Sequence, residues 1–280
     1  MTILTVDYRS KSSDAELSTS LKRTGFAVLK NHPISLNLIN LAYKEWQNFF
    51  TNSNEKLKYI SDRKTQDGFF PYLSENAKDQ VISDLKEFYH VYPWGKIPAH
   101  LHDISLCIYN ELQTLAGELL QGIEKQLPDN VSKNLSMPLH KMINKSTNTL
   151  LRILHYPPLD NIENENAVRA AAHEDINLIT LLPYATAPGL EVLDINNNWH
   201  RVECDPGNIV INVGDMLDMC TENYYKSTTH RVVNPKDNQK DQSRFSMPLF
   251  LHPRKEVKLS KDKTASQYLT QRLKEIGIYK

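Results

Sequence analysis

The sequence lacks a cysteine framework, an excess of charge of one sign and any long hydrophobic run. Its three cysteines, Cys107, Cys204 and Cys220, are far apart and odd in number, which argues against a disulfide framework and for a reducing compartment. The first ten residues have no basic region followed by an apolar run, so we expect no signal peptide. No stretch approaches the roughly 18 uninterrupted apolar residues of a membrane span. We therefore expect a soluble, cytoplasmic protein that has no membrane partner.

The charges are balanced, with 33 lysines and arginines against 33 aspartates and glutamates in 280 residues. A formal net charge of +0 gives no electrostatic argument for a nucleic-acid partner. The hydrophobic content of 40% and the charged content of 24% are ordinary for a globular protein, and this length is enough for one large core. The composition gives no indication of the oligomeric state.

The first third of the chain mixes short strands with amphipathic helices. Residues 25–29 predict a buried strand, and a helix after Ser35 would place its apolar residues on one face. A longer helix is predicted from about Ile104 to Gln126, because apolar residues recur there at helical spacing and Pro128 lies just past its end. We expect this longer helix to back a β-sheet.

After about residue 150 the pattern changes to short segments of alternating apolar residues with turn residues between them. These segments are 149–156, 176–182, 190–195, 208–213, 228–233 and 244–251. Many short strands in succession predict a sandwich or barrel and not alternating βαβ units. A packing helix is predicted from Ala265. We therefore divide the chain into an N-terminal α+β region, 1–100, and a β-rich catalytic domain with backing and C-terminal helices, 101–280.

A candidate metal site lies at His173-Glu174-Asp175. In an extended segment residues i and i+2 point to the same face, so His173 and Asp175 can face one ion while Glu174 turns away. The third ligand must come from another strand, and His230 is the best candidate. Two imidazoles and one carboxylate leave three octahedral positions open, which is the facial triad of non-haem Fe(II) oxygenases. Such a pair, or one histidine, occurs often by chance, so the assignment depends on its surroundings.

A second group of residues suits an anion. Arg244 and Ser246 form another i, i+2 pair, in a segment whose apolar neighbours predict a buried strand. Arg can bind a carboxylate through two parallel N–H···O bonds, which Lys cannot reproduce, and a buried Arg needs an anion. An internal salt bridge would serve Arg244 equally well, so both possibilities stay open at this point. Tyr156 could add a phenolic hydroxyl, although an isolated tyrosine is more often a core residue.

Taken together, these motifs resemble the isopenicillin-N-synthase-like branch of the Fe(II)/2-oxoglutarate-dependent dioxygenase superfamily. The likeness extends over nearly the whole chain and keeps the family's order and spacing. It is carried by Thr24-Gly-Phe-Ala-Val-Leu-Lys-Asn-His32, Asp84-Leu-Lys-Glu-Phe88, Arg152 to Pro157, His173-x-Asp175, Pro188-Gly-Leu190, Ile211-Asn-Val-Gly-Asp215, Lys226 to Val233 and Arg244-x-Ser246.

The resemblance implies a mainly β fold with flanking helices, in which a double-stranded β-helix (a cupin-like jelly roll) follows an N-terminal α+β region. The implied reaction uses Fe(II), 2-oxoglutarate and O2 to hydroxylate, desaturate or cyclise a small molecule, releasing succinate and CO2. The implied residues are His173, Asp175 and His230 for the iron, and Arg244, Ser246 and Tyr156 for 2-oxoglutarate. We interpret the run from Asn212 to Asp215 as a structural turn, since Gly and Asp suit tight turns.

One departure from the family pattern bears on the co-substrate. Plant members often carry Asn two residues before the strand tyrosine, and this position is Leu154 here, so one donor to the oxo-acid is absent. This departure keeps open an iron-dependent oxidase of the same fold that does not use 2-oxoglutarate, as in isopenicillin N synthase. A jelly roll that has lost its chemistry and serves as a binding module is a third possibility, although no metal ligand is missing.

The substrate cannot be identified from the sequence. We expect its pocket to include the loop near Phe69 and Phe70 and strand residues such as Phe250. Three further histidines near the relevant strands are interpreted as structural residues or as residues that support the ligands from behind; they are His155, His200 and His252.

Overall fold

The computed structural model describes residues 1–51, 53–62, 64–75, 82–159, 167–236 and 240–277. Its α-helices are α1 (Ser13–Thr24), α2 (Leu36–Thr51), α3 (Ser53–Lys56), α4 (His102–Lys125), α5 (Asp129–Ser132), α6 (Leu139–Met142), α7 (Asp215–Cys220) and α8 (Ala265–Glu275). Its strands are β1 (Thr5–Asp7), β2 (Phe26–Lys30), β3 (Gly68–Phe70), β4 (Glu87–Val91), β5 (Leu150–Tyr156), β6 (Ala170–His173), β7 (Ile179–Pro183), β8 (Leu190–Leu193), β9 (Trp199–Arg201), β10 (Ile209–Val213), β11 (His230–Val232), β12 (Arg244–Ser246) and β13 (Leu249–Leu251).

The strands form two sheets, mainly antiparallel, as in a jelly roll. The large sheet has the order β1-β2-β10-β7-β13-β5-β4-β3, and β12 also pairs with β5. The small sheet has the order β6-β11-β8-β9. Strands β1 to β4, from the first hundred residues, lie in the same sheet as strands from the second half of the chain.

Alternation of side chains gives the large sheet two buried faces. In β5, Leu151 and Ile153 pack in a core with the helices, whereas Leu154 and Tyr156 pack in a second core between the two sheets. The helices α1, α2 and α4 cover the outer face, with Trp46 of α2 completely buried. The polar residues that belong to the inner face of the large sheet therefore point towards the small sheet.

The predicted mainly β fold with flanking helices is confirmed, and the predicted helices after Ser35, at 104–126 and from Ala265 correspond to α2, α4 and α8. Two strand predictions were wrong in detail. Segment 176–182 becomes a strand only at Ile179, and segment 244–251 is divided between β12 and β13. The division falls at Met247-Pro248, because proline has no N–H to donate to a strand ladder.

No helix in the described ranges is both long and apolar enough to cross a membrane.

Candidate metal centre

Three side chains from separate positions in the fold converge on one point. One ligand atom from each of His173, Asp175 and His230 lies within 4.8 Å of the others. Asp175 Oδ1 is 3.9 Å from His173 Nε2 and 3.7 Å from His230 Nε2. The donor set of two imidazole nitrogens and one carboxylate oxygen fits Fe(II) with open coordination positions.

The two histidines meet because their strands pair in the small sheet. His173 and His230 are direct partners of antiparallel β6 and β11, and their ring centroids are 4.4 Å apart. Asp175 lies beyond the end of β6, in the connection to β7, so the predicted single extended strand carrying both His173 and Asp175 was wrong in detail. Its carboxylate reaches the histidines from this connection all the same.

Hydrogen bonds set which nitrogen of each imidazole faces the centre. His173 Nδ1 lies 2.8 Å from the Ala171 carbonyl oxygen, and His230 Nδ1 lies 3.1 Å from that of Thr228. A carbonyl only accepts, so each Nδ1 carries the proton and each Nε2 presents a lone pair to the centre. Burial and the neighbouring His230 lower the pKa of His173 to about 4, which keeps this imidazole neutral.

Asp175 is oriented by two residues of the large sheet. Its Oδ2 accepts hydrogen bonds from Thr180 Oγ1 at 2.6 Å and from Asn212 Nδ2 at 2.8 Å, which leaves Oδ1 for the centre. Burial raises the pKa of Asp175, but the two imidazoles and these hydrogen bonds outweigh it and hold the pKa below its ordinary value. The side chain is therefore a carboxylate anion, the form that can bind a metal ion.

The interpretation of residues 212–215 as a structural turn was wrong for Asn212, which lies in β10 on its inner face. The residue that needs to be glycine is Gly214. A Cβ there would lie 2.3 Å from the Asn177 carbonyl oxygen and 2.2 Å from its Oδ1. Strand alternation with Val210 could have indicated that Asn212 points inwards. Its hydrogen-bond partner Asp175, however, lies 37 residues away in the sequence.

The predicted anion-binding residues also lie together between the sheets. Arg244 pairs with Tyr156 and Ser246 with Leu154 across the β12–β5 ladder. Arg244 is 2% exposed, and its guanidinium carbon is 5.1 Å from the Tyr156 ring centroid. Arg244 Nη1 donates to Ser246 Oγ at 3.3 Å and Nε donates to the Ala187 carbonyl at 2.9 Å.

Arg244 has no carboxylate partner within the residues that the structure describes. The internal salt bridge that the sequence left open is thus not found there, and a buried guanidinium without a counter-ion fits an anionic ligand.

A cavity of about 500 Å³ adjoins the metal centre, and His173 and Asp175 lie in its wall. Phe250 lines it as expected, whereas Phe69 and Phe70 lie in β3 and are not among its described lining residues. Another part of the wall comes from α8 and the residue after it. Its apolar side chains are those of Leu269, Leu273 and Ile276, beside Ser266, Thr270 and Arg272.

A charged cluster forms another part of this wall. Lys86 Nζ is 2.7 Å from both Glu75 and Asp84, and Arg152 binds Glu75 through Nη1 at 3.1 Å and Nη2 at 3.2 Å. Burial raises the pKa of Glu75, but Arg152 and Lys86 outweigh it and hold the pKa well below its ordinary value. Arg152 Nε also donates to His90 Nε2 at 2.9 Å. Two cations and two carboxylates therefore balance within the wall.

The other histidines differ in their surroundings. His155 is held by Glu87 and Ser243, at 2.8 and 3.0 Å, and His200 bonds Asp194 at 2.6 Å, as structural residues would. His252 instead lines the cavity.

Comparison with known proteins agrees with this geometry. The sequence profile of the 2OG-Fe(II) oxygenase superfamily matches residues 147–253, and that of the N-terminal region of non-haem dioxygenases in morphine synthesis matches 6–106. A Shewanella oneidensis protein classed as an oxygenase is 49% identical with a TM-score of 0.90, over 100% of both chains. A Caulobacter crescentus protein classed in the 2OG-Fe(II) oxygenase family is 33% identical with a TM-score of 0.81, over 98% of this chain and 99% of that one.

The chain belongs to the 2OG-Fe(II) oxygenase superfamily. It is an oxidoreductase that uses Fe(II) and 2-oxoglutarate, and the predicted double-stranded β-helix is confirmed. The same fold occurs in a Neurospora crassa protein solved with 2-oxoglutarate and thymine, at 21% identity and a TM-score of 0.80 over 97% of this chain and 96% of that one.

Proposed function

We propose that His173, Asp175 and His230 hold the Fe(II) of an oxygenase that hydroxylates, desaturates or cyclises a small molecule. The observation that carries the proposal is the convergence of two Nε2 atoms and one Oδ1 atom, while every other polar atom of these side chains has its own hydrogen bond. When bound, the iron supplies the oxidation, in which O2 is consumed as 2-oxoglutarate loses CO2 and becomes succinate.

We further propose that Arg244, with Ser246 and Tyr156, binds the distal carboxylate of 2-oxoglutarate. The buried guanidinium has no acidic partner among the described residues, and the Ser246 hydroxyl lies beside it. A two-point grip by Arg fixes the direction of a carboxylate as well as its position. The small sheet and the large sheet together exclude bulk water from this region, which strengthens the interaction.

The substrate of this proposal occupies the 500 Å³ cavity beside the metal centre. Its polar part would meet the Glu75, Lys86 and Arg152 cluster, and its apolar part would meet Leu269 and Leu273 of α8. The structure of the Neurospora crassa protein with thymine supports a small organic molecule in this fold. A cytoplasmic location is also proposed, supported by the three unpaired cysteines.

The test measures oxygen uptake and succinate formation in a metabolite screen, with and without 2-oxoglutarate. We expect both to require 2-oxoglutarate and Fe(II), and to be abolished in His173→Ala and Asp175→Ala. His200→Ala is the control, because that histidine bonds Asp194 outside the metal centre. Substrate-driven oxygen uptake without 2-oxoglutarate would instead establish an oxidase of the same fold. A folded protein that fails to bind Fe(II) or Mn(II) would establish a binding module.

A further inference from the structure

A second arginine is buried beside the proposed 2-oxoglutarate site. Arg169 immediately precedes β6 and is 1% exposed. Its guanidinium carbon is 5.9 Å from the ring centroid of Tyr156, the ring that Arg244 also faces at 5.1 Å. Two buried guanidinium groups therefore share one aromatic ring between the sheets.

Arg169 is incompletely satisfied within the protein. Its Nη2 donates to the Gln242 carbonyl at 2.9 Å, and its buried Nε has no hydrogen-bond partner. No carboxylate in the described part of the chain forms an ion pair with it. Burial and the nearby Arg244 lower the pKa of Arg169 to about 10, so the side chain is still a cation at neutral pH. An unpaired buried cation next to another is costly, and an anion between or beside them would remove that cost.

The backbone around Arg169 is firmly held, which argues against an accidental placement. Asn234 Oδ1 accepts from the Arg169 N–H at 3.1 Å, while Asn234 Nδ2 donates to the Ala167 carbonyl at 2.8 Å. The Val168 carbonyl accepts from the Leu85 N–H at 3.0 Å. These bonds direct a long cationic side chain inwards at a position where an apolar residue would avoid the cost of burying charge.

We infer that Arg169 is a second arginine for the distal carboxylate of 2-oxoglutarate, acting with Arg244. The inference rests on the proposed function, because the ligand is the same co-substrate. It accounts for Leu154, which pairs with Ser246 but offers no side-chain donor. Arg169 supplies, from the position immediately before β6, the additional donor that β5 lacks.

Two arginines at one end of the ligand determine which oxo-acids the site accepts. Because both guanidinium groups would act on the distal carboxylate, the site should select 2-oxo dicarboxylates over 2-oxo monocarboxylates. The contribution of Arg169 should disappear when that carboxylate is absent from the ligand.

The test is calorimetric titration of Mn(II)-loaded protein with 2-oxoglutarate and with 2-oxobutanoate. In Arg169→Met the dissociation constant for 2-oxoglutarate should rise at least about tenfold, as expected for a lost charge-assisted hydrogen bond. The constants for Mn(II) and for 2-oxobutanoate should be unchanged. Arg169→Lys keeps the charge and loses the planar fork of the guanidinium. Its dissociation constant for 2-oxoglutarate should lie between those of the wild type and Arg169→Met. Arg254→Met is the matched control, because Arg254 donates to the carbonyls of Lys141 and Asn144 and pairs with Glu256.

Thermal unfolding separates ligand binding from a structural role. Metal-free Arg169→Met should unfold at or above the wild-type temperature, since a buried unpaired cation is removed, while the stabilisation by 2-oxoglutarate should decrease. A variant that binds 2-oxoglutarate as tightly as the wild type would overturn the inference alone. Equal weakening of both oxo-acids, with a lower unfolding temperature, would also overturn it, by showing a structural role. A wild-type protein that binds Mn(II) but not 2-oxoglutarate would overturn the proposed function as well.

Discussion

At the scale of single residues, the proposed metal centre is defined by what surrounds its three candidate ligands. The Asp175 carboxylate is held at Oδ2 by Thr180 and Asn212, and each histidine is held at Nδ1 by a carbonyl. His173 and Asp175 could be recognised in the sequence as a candidate pair because His-x-Asp is a local pattern. Thr180, Asn212 and Arg169 could not, because their partners come from other strands.

Asn212→Ala should weaken metal binding without removing a ligand. Loss of the 2.8 Å hydrogen bond frees the carboxylate of Asp175 to rotate, and loss of such an outer contact typically costs about 10- to 100-fold in metal affinity. Titration of the metal-free protein with Mn(II) measures the change. Asn198→Ala, at an exposed asparagine of the β8–β9 turn, is the control. An unchanged Mn(II) affinity in Asn212→Ala would show that Thr180 alone orients Asp175.

His252 should make the metal-free protein sensitive to mild acid. Burial lowers the pKa of His252 to about 4, against 6.5 in the unfolded chain. Unfolding therefore takes up a proton between these values, so stability is full above pH 6.5 and falls as the pH falls towards 4. Between pH 7.5 and 5, the wild type should lose about 2 kcal/mol more of its free energy of unfolding than His252→Leu.

Urea unfolding at both pH values measures this difference. The pKa values of His173 and His90 are also lowered, but both residues are present in the two proteins, so their effects largely cancel. Parallel losses of stability in wild type and variant would contradict the assignment of a neutral, buried His252.

At the scale of the elements, strands with alternating branched residues could be predicted and the shortest ones could not. Strand β5, with Leu151, Ile153 and Leu154, has the periodicity of a buried strand. Strand β6 reads Ala-Ala-Ala-His, and alanine is depleted in strands, so its place beside β11 depends on tertiary pairing. Helix α1 was not predicted either, because Leu17 and Leu21 are its only buried large apolar residues and give a weak helical pattern.

Helix α8, which contributes Leu269 and Leu273 to the wall of the cavity, depends on its N-terminal cap. Thr264 accepts from the Gln267 N–H, and the Gln267 side chain accepts from the Thr264 N–H, which together form a capping box. Thr264→Ala should destabilise α8 by about 1 kcal/mol. Amide exchange over Ala265–Glu275 should then be about fivefold faster, with exchange in β5 unchanged.

Thr264→Ser is the matched control, because serine keeps the hydroxyl that accepts the hydrogen bond. Exchange in α8 that is equally slow in Thr264→Ala and Thr264→Ser would mean that packing, including the Tyr268 to Asp215 hydrogen bond at 2.7 Å, holds the helix alone.

At the scale of the whole molecule, the proposed metal centre lies where the two sheets meet. His173 and His230 belong to the small sheet, while Asp175 is fixed by Thr180 and Asn212 of the large sheet. The strand order of the large sheet could not be predicted from strand patterns alone, since β10 pairs with β2 although about 180 residues of sequence separate them. The division into regions 1–100 and 101–280 stays a prediction.

Because the ion would bind ligands from both sheets only in the folded protein, it should stabilise the molecule as a whole. At a free Mn(II) concentration of 100 times its dissociation constant, the gain should be about 2.7 kcal/mol. For a chain of this length, that gain corresponds to a rise of about 5 °C in the unfolding temperature. Asp175→Ala should show no such rise, and Mg²⁺ at the same concentration should give little, because it prefers oxygen ligands. An equal rise with Mg²⁺, or in Asp175→Ala, would mean that the stabilising ion binds elsewhere and that the three ligands do not join the sheets through a metal.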